Sequence, residues 1–116
     1  MPRIPPGVLP LKPADFHILM VLLAEDLHGY GIMQRVGEDS GGAVALELGS
    51  LYRVIGRLAQ FGLIAEAAGP RSGGDPRRRY YRITPLGREA ARAEARRLVD
   101  VLSLAKRRAL LDAPAR

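Results

Sequence analysis

Between Pro13 and Glu25, Phe16, Leu19, Leu22 and Leu23 recur at helical spacing and Ile18 and Val21 widen the stripe, which predicts a first helix. Pro13 suits the first helical position, and Asp15 in the first turn is favoured by the helix dipole. The segment is so apolar that a core and a subunit contact can share it. His28-Gly29-Tyr30 reads as a turn, followed by a second helix over Tyr30–Asp39 with Ile32, Met33 and Val36 inward. Gly31 and Gly37 weaken that helix by about 1 kcal/mol each relative to alanine, so packing must hold it. Ser40-Gly41-Gly42 ends it, and Ala43–Leu46 is a short apolar connection able to pair as a strand.

The stretch Leu46–Ile64 is the most strongly two-faced. From Ser50 onward, Leu51, Val54, Ile55 and Leu58 share one helical face, while Ser50, Arg53, Arg57 and Gln60 share another. Ser50 is read as a hydroxyl at the helix start and Gly62 as the stop. After Gly62, residues 63–67 extend as a strand, residues 69–76 are dense in turn formers, and residues 77–84 return as a second strand. Tyr81 and Ile83 then point to the core, Tyr80 and Arg82 away from it. Thr84-Pro85 is an N-cap followed by proline, opening a helix to about Asp112 that is roughly 40 Å long. From Leu98 to Leu111 this helix is apolar over most of its circumference, more than one small domain can cover. A second copy is the economical cover, with Leu98, Val101, Leu102 and Ala105 at the contact.

The order helix, helix, helix, strand, strand, helix gives a mainly α fold with a small β-hairpin. Its architecture is a winged helix-turn-helix with a long C-terminal dimerisation helix. Residues 1–10, with four prolines and a glycine, are expected to be a flexible or extended arm. Residues 11–84 form the winged unit, 85–112 the dimerisation helix and 113–116 a tail.

Composition narrows the chemistry. The chain has 116 residues and no cysteine. That length suits one domain, and the missing thiols exclude disulfides and thiolate metal sites while fitting a reducing cytosol. No apolar run is long enough for a transmembrane helix, and the proline-rich start does not read as a signal peptide. The formal charge of +6 is unevenly spread: residues 1–66 hold five Lys/Arg against seven Asp/Glu, residues 67–116 thirteen against five. A localised basic surplus points to a polyanion, nucleic acid before membrane. Two isolated histidines and no phosphate loop leave an enzyme without a nucleophile–base pair, metal cluster or cofactor motif.

In a winged helix-turn-helix the third helix enters the major groove and the wing lies along the backbone or minor groove. Ser50, Arg53 and Arg57 are then the candidates for base and phosphate contact. Arg77, Arg78 and Arg79 neutralise phosphates from the wing, joined by Arg71.

The ordered set HGYGIMQRV, LGSLYRVIGRLAQFGLI and RRRYYRITPLGREA closely resembles the PadR family of transcriptional regulators, over about Leu11–Leu111. Ser50 stands where that family has threonine, and Ile83 where it has leucine. Glu47-Leu48 replaces a common Ser-Pro, and Gly31 and Gly56 stand where longer side chains are usual. The single helix after the wing is similar to the shorter subfamily. The resemblance implies a cytoplasmic homodimer joined through the C-terminal helix with help from the first, repressing from a palindromic operator on double-stranded DNA. It also implies release by a small aromatic or drug-like effector near the dimer interface; without tryptophan, an effector pocket would be lined by aliphatic residues such as Leu98, Val101 and Leu102. Tyr30 matches a position near the DNA-facing surface, where it contacts phosphate or packs the second helix on the third; for Tyr52 packing is expected. The competing reading is a winged-helix module that binds protein or RNA without operator specificity, since fold alone does not settle function.

Overall fold

The structure is a computed structural model that describes residues 4–70 and 78–111. Its elements are α1 (Pro13–Ala24), β1 (Leu27–His28), α2 (Gly29–Asp39), α3 (Leu48–Gln60), β2 (Ile64–Ala67), β3 (Tyr80–Ile83) and α4 (Pro85–Arg107). Ile18, Leu19, Val21 and Leu22 of α1 meet Ile32 and Val36 of α2 and Leu51, Val54, Ile55 and Leu58 of α3 in one core. Leu63, Ile64, Tyr81 and Ile83 close that core from the sheet. The alternation expected for the second strand is observed, with Tyr81 and Ile83 buried and Arg82 exposed.

The sheet has three strands in the order β1-β3-β2, all antiparallel, with Ile64 opposite Ile83 and His28 opposite Tyr80. The hairpin expected from sequence is therefore extended by Leu27-His28, which couples the start of α2 directly to the wing. The apolar connection at 43–46 forms no strand; Ser40 holds it instead, its hydroxyl accepting from the Val44 N–H at 3.0 Å.

Two junctions fix the frame. At the first, the Thr84 hydroxyl donates to the Gly62 carbonyl at 2.6 Å and accepts from the Gly87 N–H at 3.0 Å, so one residue ends the wing, caps α4 and holds the exit of α3. At the second, the segment before α1 is tied to α4. Glu94 is 2% exposed, accepts from the Leu11 N–H at 3.0 Å and is gripped by the Arg97 guanidinium. The Arg97 hydrogen bonds hold the Glu94 carboxyl below its usual range, against the opposing effect of burial. Glu94 thus contributes its full stabilisation above the ordinary carboxylate pKa and loses it as pH falls through its own lowered value.

Residues 4–10, expected to be a flexible or extended arm, lie against the domain. Val8 and Leu11 are buried and Ile4 packs against the core, so three spaced apolar side chains seat a segment rich in proline. Residues 1–3 and the tail at 113–116 lie outside the described residues. The last helix closes at Arg107, short of the expected Asp112. Past Glu94, α4 buries no residue, and the described chain spans 51 × 32 × 26 Å.

Candidate nucleic-acid interface

α3 begins at Leu48, with Glu47 as its N-cap and no side-chain cap bond. Ser50 therefore sits in the first turn instead of capping it, and its hydroxyl meets the Arg53 guanidinium at 3.4 Å. Leu51, Val54, Ile55 and Leu58 are buried as their spacing required, which turns Gly49, Tyr52, Arg53, Gly56 and Gln60 to solvent. Nothing stands within 4 Å of where a Cβ would be at Gly49 or Gly56, so this face is low and open around Arg53. A helix with such a face can approach a groove floor closely, with Arg53 as its long donor.

Arg57 is drawn away from that stripe. Its guanidinium donates to both carboxylate oxygens of Asp15, at 2.7 and 2.9 Å, and Asp15 is buried on α1. The helical spacing that grouped Arg57 with Ser50 and Arg53 is correct for the backbone, but the side chain reaches around α3 to an internal carboxylate. It braces α3 against α1 instead of projecting into solvent. Arg57→Ala is expected to destabilise the fold by about 2 kcal/mol, because Asp15 stays buried without its partner and Arg57 is itself partly solvated. Chemical denaturation measures this, and a midpoint equal to the parent's would remove the brace.

A cleft of about 410 Å³ opens beside α3, lined by His28, Gly29, Tyr30, Tyr52, Arg78, Arg79 and Tyr81. It gathers the start of α2, Tyr52 in the second turn of α3 and the base of the wing. Tyr30 and Tyr52 are both exposed. Tyr52 also packs on α2, as expected: a Cβ at Gly29 would lie 2.6 Å from the Tyr52 hydroxyl, so the glycine in His28-Gly29-Tyr30 is the space that ring occupies. Arg79 stands 3.8 Å from Glu66, an exposed pair that leaves its charge available. Arg71 and Arg77 lie outside the described residues. Among the described residues, no group of His, Cys, Asp or Glu is arranged to hold a metal ion, and no helix is long and apolar enough to cross a membrane.

His28, which the sequence presented only as part of a turn, has two side-chain partners. Its ring Nδ1 accepts from the Gly31 N–H at 3.0 Å, capping α2, and its Nε2 faces the Arg78 guanidinium at 2.8 Å. The ring also lies edge-on to Tyr80, with centroids 5.3 Å apart. Burial, and then the Arg78 charge, hold the imidazole pKa below its ordinary value, which keeps it neutral and able to accept at Nδ1. The available signal was its place immediately before a helix.

The expected dimer face is bare in the single chain. Leu98, Val101 and Leu102 are exposed and Ala105 is half-buried on α4. On the outer side of α1, Phe16, Met20 and Leu23 border Arg88, Ala91, Arg92 and Ala95 of α4. Leu23, read from spacing as core, is exposed there because α1 is apolar on every side and only one of those sides meets α2 and α3.

The model of the transcriptional regulator PadR-like family matches residues 18–93, which span α1 to the buried half of α4. An uncharacterized protein from Lysinibacillus sphaericus is 35% identical over 74 residues, covering 64% of this chain and 67% of that protein. A transcriptional regulator from Clostridium thermocellum superposes with a TM-score of 0.68 at 26% identity, covering 81% of this chain and 87% of its own. A PadR family transcription regulator from Clostridium difficile shares the fold, with a TM-score of 0.71 at 22% identity over 83% of this chain and 97% of its own. A match over most of the winged unit, on a fold whose exposed third helix and wing base carry the cations, identifies a DNA-binding transcriptional regulator and not an enzyme: the chain belongs to the PadR-like family.

Proposed function

We propose that the protein is a cytoplasmic, homodimeric repressor that holds a palindromic operator, α3 in the major groove of each half-site and the wing over the backbone. The observation that carries this is the open α3 face around Arg53, set next to a cleft lined by Arg78, Arg79 and two exposed tyrosines. Arg53 reads a base edge with Ser50 steadying it, while Tyr30, Arg78 and Arg79 contact phosphates, together with Arg77 from the loop. An arginine on an open helix face suits the major groove of duplex DNA, which admits a helix, better than the deep, narrow major groove of an RNA helix.

Dimerisation follows from the bare apolar half of α4, and a two-fold dimer implies an operator with two-fold symmetry. A small aromatic effector has a candidate seat between α1 and α4. There, a cleft of about 310 Å³ is lined by Pro13, Phe16, His17, Met20, Arg97 and Leu98, more aromatic than the expected Leu98, Val101 and Leu102 lining. Occupation there would press on the Glu94 clamp and, through residues 11–15, on the Asp15–Arg57 brace of α3.

Selection of bound duplexes from a random pool tests the reading, and a palindromic consensus is the expected product. Against that consensus, Arg53→Ala is expected to lose roughly 1–3 kcal/mol while binding to random duplex stays near the parent value. Equal losses on both would demote Arg53 to a phosphate contact, and a pool that yields no enriched duplex would overturn operator binding itself.

A further inference from the structure

His28 is an uncommon choice for the work it does at the start of α2. Asparagine, aspartate and serine are the strong N-caps, and any of them would satisfy the Gly31 N–H without a ring. What histidine adds is a second nitrogen, and that nitrogen lies on the cleft shared with Arg78, Arg79, Tyr30 and Tyr52.

The hydrogen count at that nitrogen is decisive. A neutral imidazole has one N–H and one lone pair. Because Nδ1 spends the lone pair on the Gly31 N–H, the proton sits on Nε2. The Arg78 guanidinium, which has only donors, stands 2.8 Å from that same atom. Two donors therefore face each other at the cleft wall. The alternative tautomer moves the conflict without removing it, since Nδ1–H would then face the Gly31 N–H. Such a pair is satisfied by an oxygen that accepts from both, and an anionic oxygen suits the Arg78 and Arg79 charges.

We propose that His28 is a direct phosphate ligand: Nε2–H and the Arg78 guanidinium together grip one backbone phosphate oxygen of the duplex, while Nδ1 caps α2. The inference rests on the DNA-binding reading above. The same ring caps α2 through Nδ1, so His28 has one structural and one binding role. The contact is neutral on the histidine side, so it strengthens binding to every sequence without adding a released counterion.

His28→Asn separates the two roles, since asparagine keeps the cap and cannot reach the phosphate. Affinity for a random-sequence duplex at fixed salt is expected to fall roughly tenfold. Thermal stability should hold or rise, and the salt slope should be unchanged, whereas Arg78→Ala should lower that slope by about 0.9. In the parent protein, nitrogen-15 NMR of the imidazole should show the Nε2 proton slowed in exchange and shifted downfield on saturation with the same duplex. An imidazole unchanged at saturation, or a His28→Asn protein that binds as tightly as the parent, overturns the proposal and leaves the DNA-binding reading intact. A parent protein that binds no duplex removes both.

Discussion

Gly87→Ala is expected to cost the fold about 3 kcal/mol or more, lowering the melting temperature by something like 12–20 °C. Helix propensity argues the other way, since alanine in place of glycine inside a helix contributes up to about 1 kcal/mol. The close approach at this position outweighs it. A Cβ on Gly87 would lie 2.1 Å from the Leu63 carbonyl oxygen and 2.7 Å from Ile83 Cγ1. The Leu63 carbonyl cannot swing aside cheaply, because it accepts the Thr84 N–H at 3.0 Å. Relief requires α4 to back away from the sheet, and that motion stretches the Thr84 cap and its bond to Gly62 together. The cost therefore falls on the junction that holds the wing, the exit of α3 and the start of α4 in one frame. Denaturant unfolding of the parent and variant measures it. A stability change within about 0.5 kcal/mol would mean that the approach relaxes freely and that the Thr84 junction is not rigid.

What was legible in the sequence was whatever rests on local chemistry. Thr84-Pro85 was readable as a helix start because a cap hydroxyl and a proline act within one turn. The burial of Leu51, Val54, Ile55 and Leu58 followed from a period that needs no knowledge of what covers it. Contacts between distant residues were not legible. Asp15 and Arg57 are 42 positions apart, and each had a sufficient local explanation, a helix dipole for one and an exposed arginine stripe for the other. Leu27-His28 pairs over only two residues, too short to leave an alternating pattern, so the third strand and the cap function of His28 stayed hidden. In the N-terminal segment the prolines dominated the reading, yet it is Val8 and Leu11 that determine where it lies. In the candidate site the expected elements formed and Arg53 stands exposed on α3, while Arg57 turned inward once the tertiary partners were known.

The dimer proposal carries the second large effect. Val101→Glu combined with Leu102→Glu is expected to leave a folded monomer at micromolar concentration, with operator affinity reduced a hundredfold or more, on the order of the avidity lost when linked sites part. In the isolated chain Val101 is 48% and Leu102 46% exposed, so neither substitution opens a cavity in the fold. Each aliphatic side chain fully covered by a partner contributes about 1.5–3 kcal/mol, and two-fold symmetry counts each change twice. Glutamates there would in addition face their own symmetry mates, so charge repulsion opposes the same contact. The clamp of Glu94 by Leu11 and Arg97 lies nearer the folded core on α4, and it holds the root of the helix in place while the outer half is altered. Sedimentation equilibrium gives the mass, and circular dichroism checks that the helices persist. A double variant that still sediments as a dimer would move the subunit contact off the outer half of α4. The side of α1 around Phe16, Met20 and Leu23 would then be a candidate for that contact.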